Sequence, residues 1–244
     1  MKLQLNKNLF VNHLLGPVSK LSDNLLLDFQ SSSYKAGWAA KTIVSSADNS
    51  TILLGDVPCT VDDPFKCVIP DCKTFLRLFS GIDEEQIQLT IDSNVVKYKQ
   101  GSFSFKYHLL DESYVVNKKS LSEEKIKALT FDTSFVMTKQ KLSEIIKFNS
   151  IVPDAEKLYF ITDGTKVLAK LGDELKTNTN EIVTEVSHGE YEGKPLLDKF
   201  PINIQNVLLF SFGNEEITVK INHSLKVFKF ETENLSYIVS GLVK

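Results

Sequence analysis

Residues 95–107, VVKYKQGSFSFKY, read as two short strands around a glycine turn, and residues 227–239, VFKFETENLSYIV, read the same way. Set one above the other, Val95 falls on Val227, Lys97 on Lys229, Tyr98 on Phe230, Phe105 on Tyr237 and Tyr107 on Val239, at an offset of 132 residues (227 − 95). In a chain of 244 residues that is a little over half the length, so one hairpin written twice points to a duplicated domain.

The offset extends outward from the hairpin. LNKNLFVNHLLGPVSK, from Leu5, meets MTKQKLSEIIKFNSIV, from Met137, with Lys7 on Lys139, Phe10 on Leu142 and Leu14 on Ile146. Both segments open on a capping residue, Asn6 or Thr138, and carry apolar residues four apart, which predicts amphipathic helices. Short apolar strands follow, NLLLDF from Asn24 and KLYFIT from Lys157. PDCKTFLRLFSG from Pro70 then meets INIQNVLLFSFG from Ile202, with Phe75 on Val207 and Gly81 on Gly213. EQIQLTI, ending at Ile91, and EITVKIN, ending at Asn222, alternate as strands do.

Inside each half a smaller β-α-β-β-β unit occurs twice. The expected fold is therefore α+β: two duplicated domains, each of two βαβββ units, with helices on one face of antiparallel sheets. The domains are expected at 1–111 and 131–244. The stretch ESYVVNKKSLSEEKIKALT, 112–130, is polar and charged and reads as a connector, compatible with a short surface helix around Glu123–Leu129.

Composition narrows the function classes. Hydrophobic residues make up 42% of the chain, enough for a sizeable core, and no apolar run approaches the ~20 residues of a membrane span. The opening MKLQLNKNLF lacks the apolar core of a signal peptide. Cys59, Cys67 and Cys72 are odd in number and argue against a disulfide framework, so a reducing cytoplasm is expected. The chain has no phosphate-loop, dinucleotide, HExxH or GxSxG motif, and His13, His108, His188 and His223 fall in separate elements. Asp62-Asp63, Asp83-Glu84-Glu85 and Glu215-Glu216 fall in apparent turns. A non-enzyme without cofactor or metal is expected.

The helices carry what remains. With Cys72, Phe75, Leu76 and Phe79 inward, Lys73 and Arg77 share the open face of the second helix. With Leu142, Ile145 and Ile146 inward, Lys139, Lys141 and Lys147 lie at or near the open side of the third. The first adds Lys7 with Asn8 and Asn12, and the fourth offers Gln205 and Asn206. Any one lysine could simply solvate a helix face. Basic helices with acids confined to turns suit phosphate contacts without base reading, sequence-independent and salt-sensitive. A net charge of −3 makes one copy a weak binder, so several copies around one duplex are implied.

Four βαβββ units, a connector between two halves, basic short helices and no catalytic motif resemble the DNA sliding clamps. The nearest resemblance is to the clamps of T-even-type bacteriophages, with proliferating cell nuclear antigen (PCNA) more distant. It is carried by KTFLRLFSGIDEEQIQLTIDSNVVKYKQGSFSFKYHLLD (Lys73–Asp111) and KQKLSEIIKFNSIVPD (Lys139–Asp154). The resemblance implies a processivity factor, a head-to-tail homotrimeric ring that encircles duplex DNA and tethers a replicative DNA polymerase, opened by a clamp loader. It places Lys7, Lys73, Arg77, Lys139, Lys141 and Lys147 on DNA-facing segments. It puts a partner pocket near the connector and C-terminus, at Tyr114, Val115, Val116, Leu242 and Val243. Phage encoding would make the compartment the bacterial host's cytoplasm. Two features depart from the pattern. Gly16-Pro17 should end or kink the first helix near Leu15. In the fourth helix Leu209 and Gln205 stand where Arg77 and Lys73 stand in the second. The alternative is a non-enzymatic shell or tail protein built from duplicated β-rich domains.

Overall fold

The computed structural model describes residues 1–31, 37–111, 113, 123–162, 166–174, 176, 180–187, 192–193, 200–212 and 216–242. By its internal contacts the chain divides into Met1–Leu121 and Ser122–Lys244. Each unit runs twice through β-α-β-β-β. In the first these are β1 (Lys2–Asn6), α1 (Lys7–Phe10) continued by a π-helical turn (Val11–Leu15) and α2 (Gly16–Ser19), then β2 (Leu25–Ser31), β3 (Trp38–Ser45) and β4 (Thr51–Val61). Next come β5 (Phe65–Ile69), α3 (Cys72–Ser80), β6 (Gln86–Asp92), β7 (Val95–Gln100) and β8 (Phe103–His108). After a short α4 (Glu123–Lys127), the second unit has β9 (Thr133–Thr138), α5 (Lys139–Ile151), β10 (Lys157–Thr162), β11 (Val167–Gly172) and β12 (Ile182–Glu185). It finishes with β13 (Glu192–Gly193), β14 (Ile202–Asn203), α6 (Ile204–Leu208), β15 (Glu216–Asn222), β16 (Val227–Glu231) and β17 (Leu235–Ser240).

Among the described residues all pairing within each unit is antiparallel. In the first unit the strands run β5-β2-β3-β4-β1-β6-β7-β8, with β4 long enough to pair both β3 and β1. In the second they run β13-β9-β15-β16-β17 and β12-β11-β10-β14. Alternation decides which face is inside: in β6, Ile87, Leu89 and Ile91 are buried while Gln86, Gln88 and Thr90 are exposed. Aromatic rings fill the space between sheet and helices. Phe79 of α3 lies 5.4 Å from Phe10 of α1, and Phe75 lies 4.7 Å from Tyr107 of β8. In the second unit Phe210 lies 4.5 Å from Tyr237 and 4.9 Å from Phe230. Cys67 and Cys72 are buried free thiols, each pushed up to about 12 by burial.

The two hairpins pair in one register. Tyr98 faces Phe105 across β7 and β8, and Phe230 faces Tyr237 across β16 and β17, each pair displaced by 132 from the other. Gly101 supplies a positive φ of 56° in the first turn. The preceding strands do not keep the offset. Asn6 pairs with Gln86, and its counterpart Thr138 pairs with Glu216, so β6 maps onto β15 at 130 residues (216 − 86). The second unit shortens the segment between helix and strand by two residues and lengthens the following turn by two. Alignment of Glu85 with Glu216, one residue out of phase, is thereby corrected.

The first helix does not end at Leu15. It widens: the Gly16 N–H donates to the Val11 carbonyl five residues back, and helix continues through Pro17 to Ser19. A proline lacks the N–H for an ordinary turn, and its ring crowds the carbonyl four residues back. One π turn relieves both constraints. A Cβ on residue 16 would stand 2.9 Å from the Val11 oxygen, which explains glycine there.

Of the expected connector, 112 and 114–122 lie outside the described residues. Its far end is anchored to the second unit. The Asn222 side chain donates to the Thr130 carbonyl at 2.7 Å, the Asp132 N–H donates to the Ile221 carbonyl at 3.0 Å, and His223 Nδ1 meets Asp132 Oδ1 at 2.5 Å.

Candidate nucleic-acid interface

A side-chain oxygen caps each of four helices. Asn6 accepts from the Leu9 N–H at 2.9 Å and Thr138 from the Lys141 N–H at 3.3 Å, equivalent bonds in the two units. Asp71 accepts from Thr74 and Asn203 from Gln205, both at 2.9 Å. These caps absorb otherwise unsatisfied N–H groups and fix where each helix begins, hence which side chains face outward. Tyr107 adds a clamp at the start of α3, its hydroxyl donating to the Asp71 carbonyl at 3.0 Å.

In the first unit the helices lie antiparallel. The Lys7 N–H at the start of α1 donates to Glu85 beyond the end of α3, while the Cys72 N–H at the start of α3 donates to Asp23 beyond α2. Lys7 is half-buried, and its ammonium donates to the Ile82 carbonyl at 2.6 Å, near the electronegative end of α3. Lys73 is exposed and pairs with Asp23 at 3.2 Å. Arg77, one turn on, is exposed with no hydrogen bond or ion pair to any described residue.

In the second unit Lys139 is half-buried and engaged, and Lys141 pairs with Glu144 at 2.9 Å. Lys147 is exposed without such a partner among the described residues. The six cations therefore differ in availability: Arg77 and Lys147 are open, Lys73 is held in a solvent-screened pair, and Lys7, Lys139 and Lys141 are occupied. Acids are not confined to turns away from this face, since Asp23 and Glu144 sit beside expected phosphate contacts.

Three expected orientations are corrected. Asn206 is buried, because the five-residue α6 turns it inward between Ile204 and Val207, so that helix presents only Gln205. Leu76 and Ile146 are half-exposed at the edges of stripes formed by Cys72, Phe75 and Phe79 and by Leu142 and Ile145. Of the expected pocket residues, Tyr114, Val115, Val116 and Val243 lie outside the described residues. Leu242 is half-buried, with its N–H donating to the Pro201 carbonyl at 2.7 Å. Among the described residues no three His, Cys, Asp or Glu side chains group as a metal site, and no helix is long and apolar enough to cross a membrane.

The Asp71 cap gives a pH prediction. Its carboxyl is held below its ordinary value of 3.8, first by the Thr74 hydroxyl and next by the Thr74 N–H. Folding favours the ionised form, so this stabilisation is complete above 3.8 and is lost as pH falls through the lower folded value. The urea midpoint of Asp71→Asn should lie below that of the parent at pH 7, with the difference closing in acid below the ordinary carboxylate range. A difference independent of pH would mean that the charge contributes nothing to the cap.

No protein-family model and no curated protein sequence matches the chain. Solved structures do. PCNA from A. fulgidus, in a complex with the C-terminal region of FEN-1, superposes over 100% of this chain and 98% of its own with a TM-score of 0.74 at 14% identity. PCNA from Thermococcus kodakaraensis matches over 98% of this chain and all of its own, with a TM-score of 0.75 at 15% identity. This is the sliding-clamp fold. The DNA polymerase III beta subunit of Thermotoga maritima shares it at a TM-score of 0.69 and 10% identity, this chain spanning 65% of that longer one. Within the sliding-clamp fold, repetition of the βαβββ unit accounts for both the full-length match to PCNA and the partial match to the longer chain.

Proposed function

We propose that the chain is a DNA polymerase processivity factor, a sliding clamp that encircles duplex DNA and tethers a replicative polymerase. The observation that carries this reading is the end-to-end match of a two-unit chain to PCNA chains, without an unmatched domain on either side. Strand edges support a head-to-tail ring. Among the described residues β8 pairs only with β7 and β12 only with β11, so each unit has an edge strand at which another copy would pair. Three copies of two domains, 1–111 and 131–244 joined by 112–130, complete the ring. Lys7, Lys73, Arg77, Lys139, Lys141 and Lys147 line its inside, with Arg77 and Lys147 contributing most to phosphate contact. Tyr114, Val115, Val116, Leu242 and Val243 receive the polymerase and the clamp loader. The complex works in the cytoplasm, the host's if a bacteriophage encodes it.

Topological linkage, rather than affinity, sets residence on DNA in such a ring, so weak contacts permit sliding. Light scattering across a concentration series should give a mass near three times 27.5 kDa. Primer extension by the cognate polymerase should yield longer products in its presence. A strict monomer overturns the ring, and unchanged product length overturns the tether.

A further inference from the structure

The sheet of the first unit has a second face, turned away from the helices. Lys2, Thr90, Lys97 and Lys106 stand in one row across β1, β6, β7 and β8. Lys99 follows two residues along β7, and all five are exposed. Lys97 and Lys106 are directly opposite, where like charges destabilise a sheet. Two anions stand beside the row among the described residues: Asp92, paired with Lys97 at 2.8 Å, and Asp62, whose carboxylate accepts the Lys2 backbone N–H at 2.8 Å at the far end of the row. The Asp92 carboxyl is held below the ordinary range, first by the Lys97 hydrogen bond and then by the Lys97 charge, with Lys106 adding to it. On β7 and β8 one carboxylate, Asp92, thus serves both Lys97 and Lys106.

The second unit has a lysine pair one strand over, on β15 and β16, and there the charge is resolved. Lys220 stands opposite Lys229, and both ion-pair with Glu231. At the 132-residue offset Glu231 corresponds to Lys99, Ile238 to Lys106 and Ser134 to Lys2. On this face the second unit thus places a carboxylate, Glu231, between two lysines where the first unit places another cation, Lys99, and it keeps one lysine of the Lys97–Lys106 pair, as Lys229 opposite Ile238. We propose that this face is a docking site for an acidic, extended segment of a partner protein.

Ammonium groups spaced by neighbouring strands at about 4.8 Å and by alternate residues at about 6.8 Å match carboxylates on alternate residues of an extended peptide. Thr90 adds a hydroxyl within the row. The choice of a protein over a nucleic acid rests on the clamp reading, in which the duplex occupies the helix face, on the opposite side of this sheet. The exposed face has no apolar anchor among these residues, so binding is electrostatic, fast and sensitive to salt.

The test uses the whole chain and a fluorescein-labelled peptide of alternating Glu and Ser, with an oligothymidylate of equal charge as the competing probe. Lys97→Ser/Lys99→Ser, both on β7 and not on the edge strand, should weaken peptide binding about five- to tenfold at low salt. Lys139→Ser/Lys147→Ser on α5 and Lys220→Ser/Lys229→Ser in the second unit should leave it unchanged. Equal peptide affinity in the parent and the β7 variant overturns the proposal. So does dependence of the oligothymidylate, and not the peptide, on the β7 lysines. Mass by light scattering on the same samples separates this result from failure of the ring, since the peptide assay needs neither polymerase nor duplex.

Discussion

Replacing Lys73, Arg77, Lys139 and Lys147 together by glutamate is expected to abolish polymerase stimulation at moderate salt while the chain still folds. Each reversal subtracts two charges, taking the formal net charge from −3 to −11. Arg77 and Lys147 are exposed, and Lys73 lies in an exposed pair, so little packing is lost. Loss of the contacts of Lys73, Arg77 and Lys147 should lower the slope of log affinity against log salt by about three, Lys139 being already engaged. Single changes should be graded. Arg77→Glu and Lys147→Glu should do most, because those side chains have no hydrogen-bonded or ion-paired partner among the described residues. Lys141→Glu should do least for binding, because Lys141 is already engaged by Glu144. Primer-extension product length across a salt series reads the effect, and a thermal melt checks the fold. Undiminished products from the fourfold variant would remove the helix face from consideration as the DNA contact.

The largest expected loss of stability comes from Phe79→Ala. Phe79 is fully buried and joins three elements, lying 5.4 Å from Phe10 of α1, 4.9 Å from Phe75 within α3 and 6.4 Å from Phe105 of β8. Its removal takes away a large transfer free energy and leaves a cavity that a caged site cannot collapse, costing about 3–5 kcal/mol. The melting temperature should fall by about 6–20 °C. Phe103→Ala, at a side chain 37% exposed, should cost well under half as much. Near-equal losses would mean that α3 is not seated by the ring cluster.

The repeated hairpin was legible because each pattern element had one physical reading. Alternating apolar residues, a turn and aromatic partners defined a pair of strands, and Tyr98–Phe105 and Phe230–Tyr237 face each other as that pattern requires. Asn6 and Thr138 also cap as their residue types suggest. The match of β6 to β15 was misaligned, although a signal existed. Buried Ile87, Leu89 and Ile91 correspond in phase to Ile217, Val219 and Ile221 only at an even offset, and 130 satisfies this where 131 does not. Gly16-Pro17 marks where the helix departs from α geometry but not the form it takes, because proline is disfavoured inside an α turn and tolerated after a π turn, a distinction that local propensity does not carry. At the candidate interface the sequence marked the cations but not their availability. That Lys7 reaches the Ile82 carbonyl and Lys73 reaches Asp23 depends on tertiary contacts between residues 75 and 50 positions apart.

The pairing of β1 with β6 also governs how the first unit is made. Gln4 and Gln88 meet across 84 residues, whereas β7 and β8 close through a tight local turn. At a ribosomal rate of about 5–20 residues per second, β1 waits roughly 4–17 seconds for its partner. Loop closure over that span is slow and entropically unfavourable until the hydrophobic face exists to reward it. The hairpin, although it emerges last, can form first and present β6 to a strand made long before. β4 can pair one edge of the opening strand earlier, but its other edge is among the last to lock, and until then Leu3 and Leu5 lack half of their sheet neighbours.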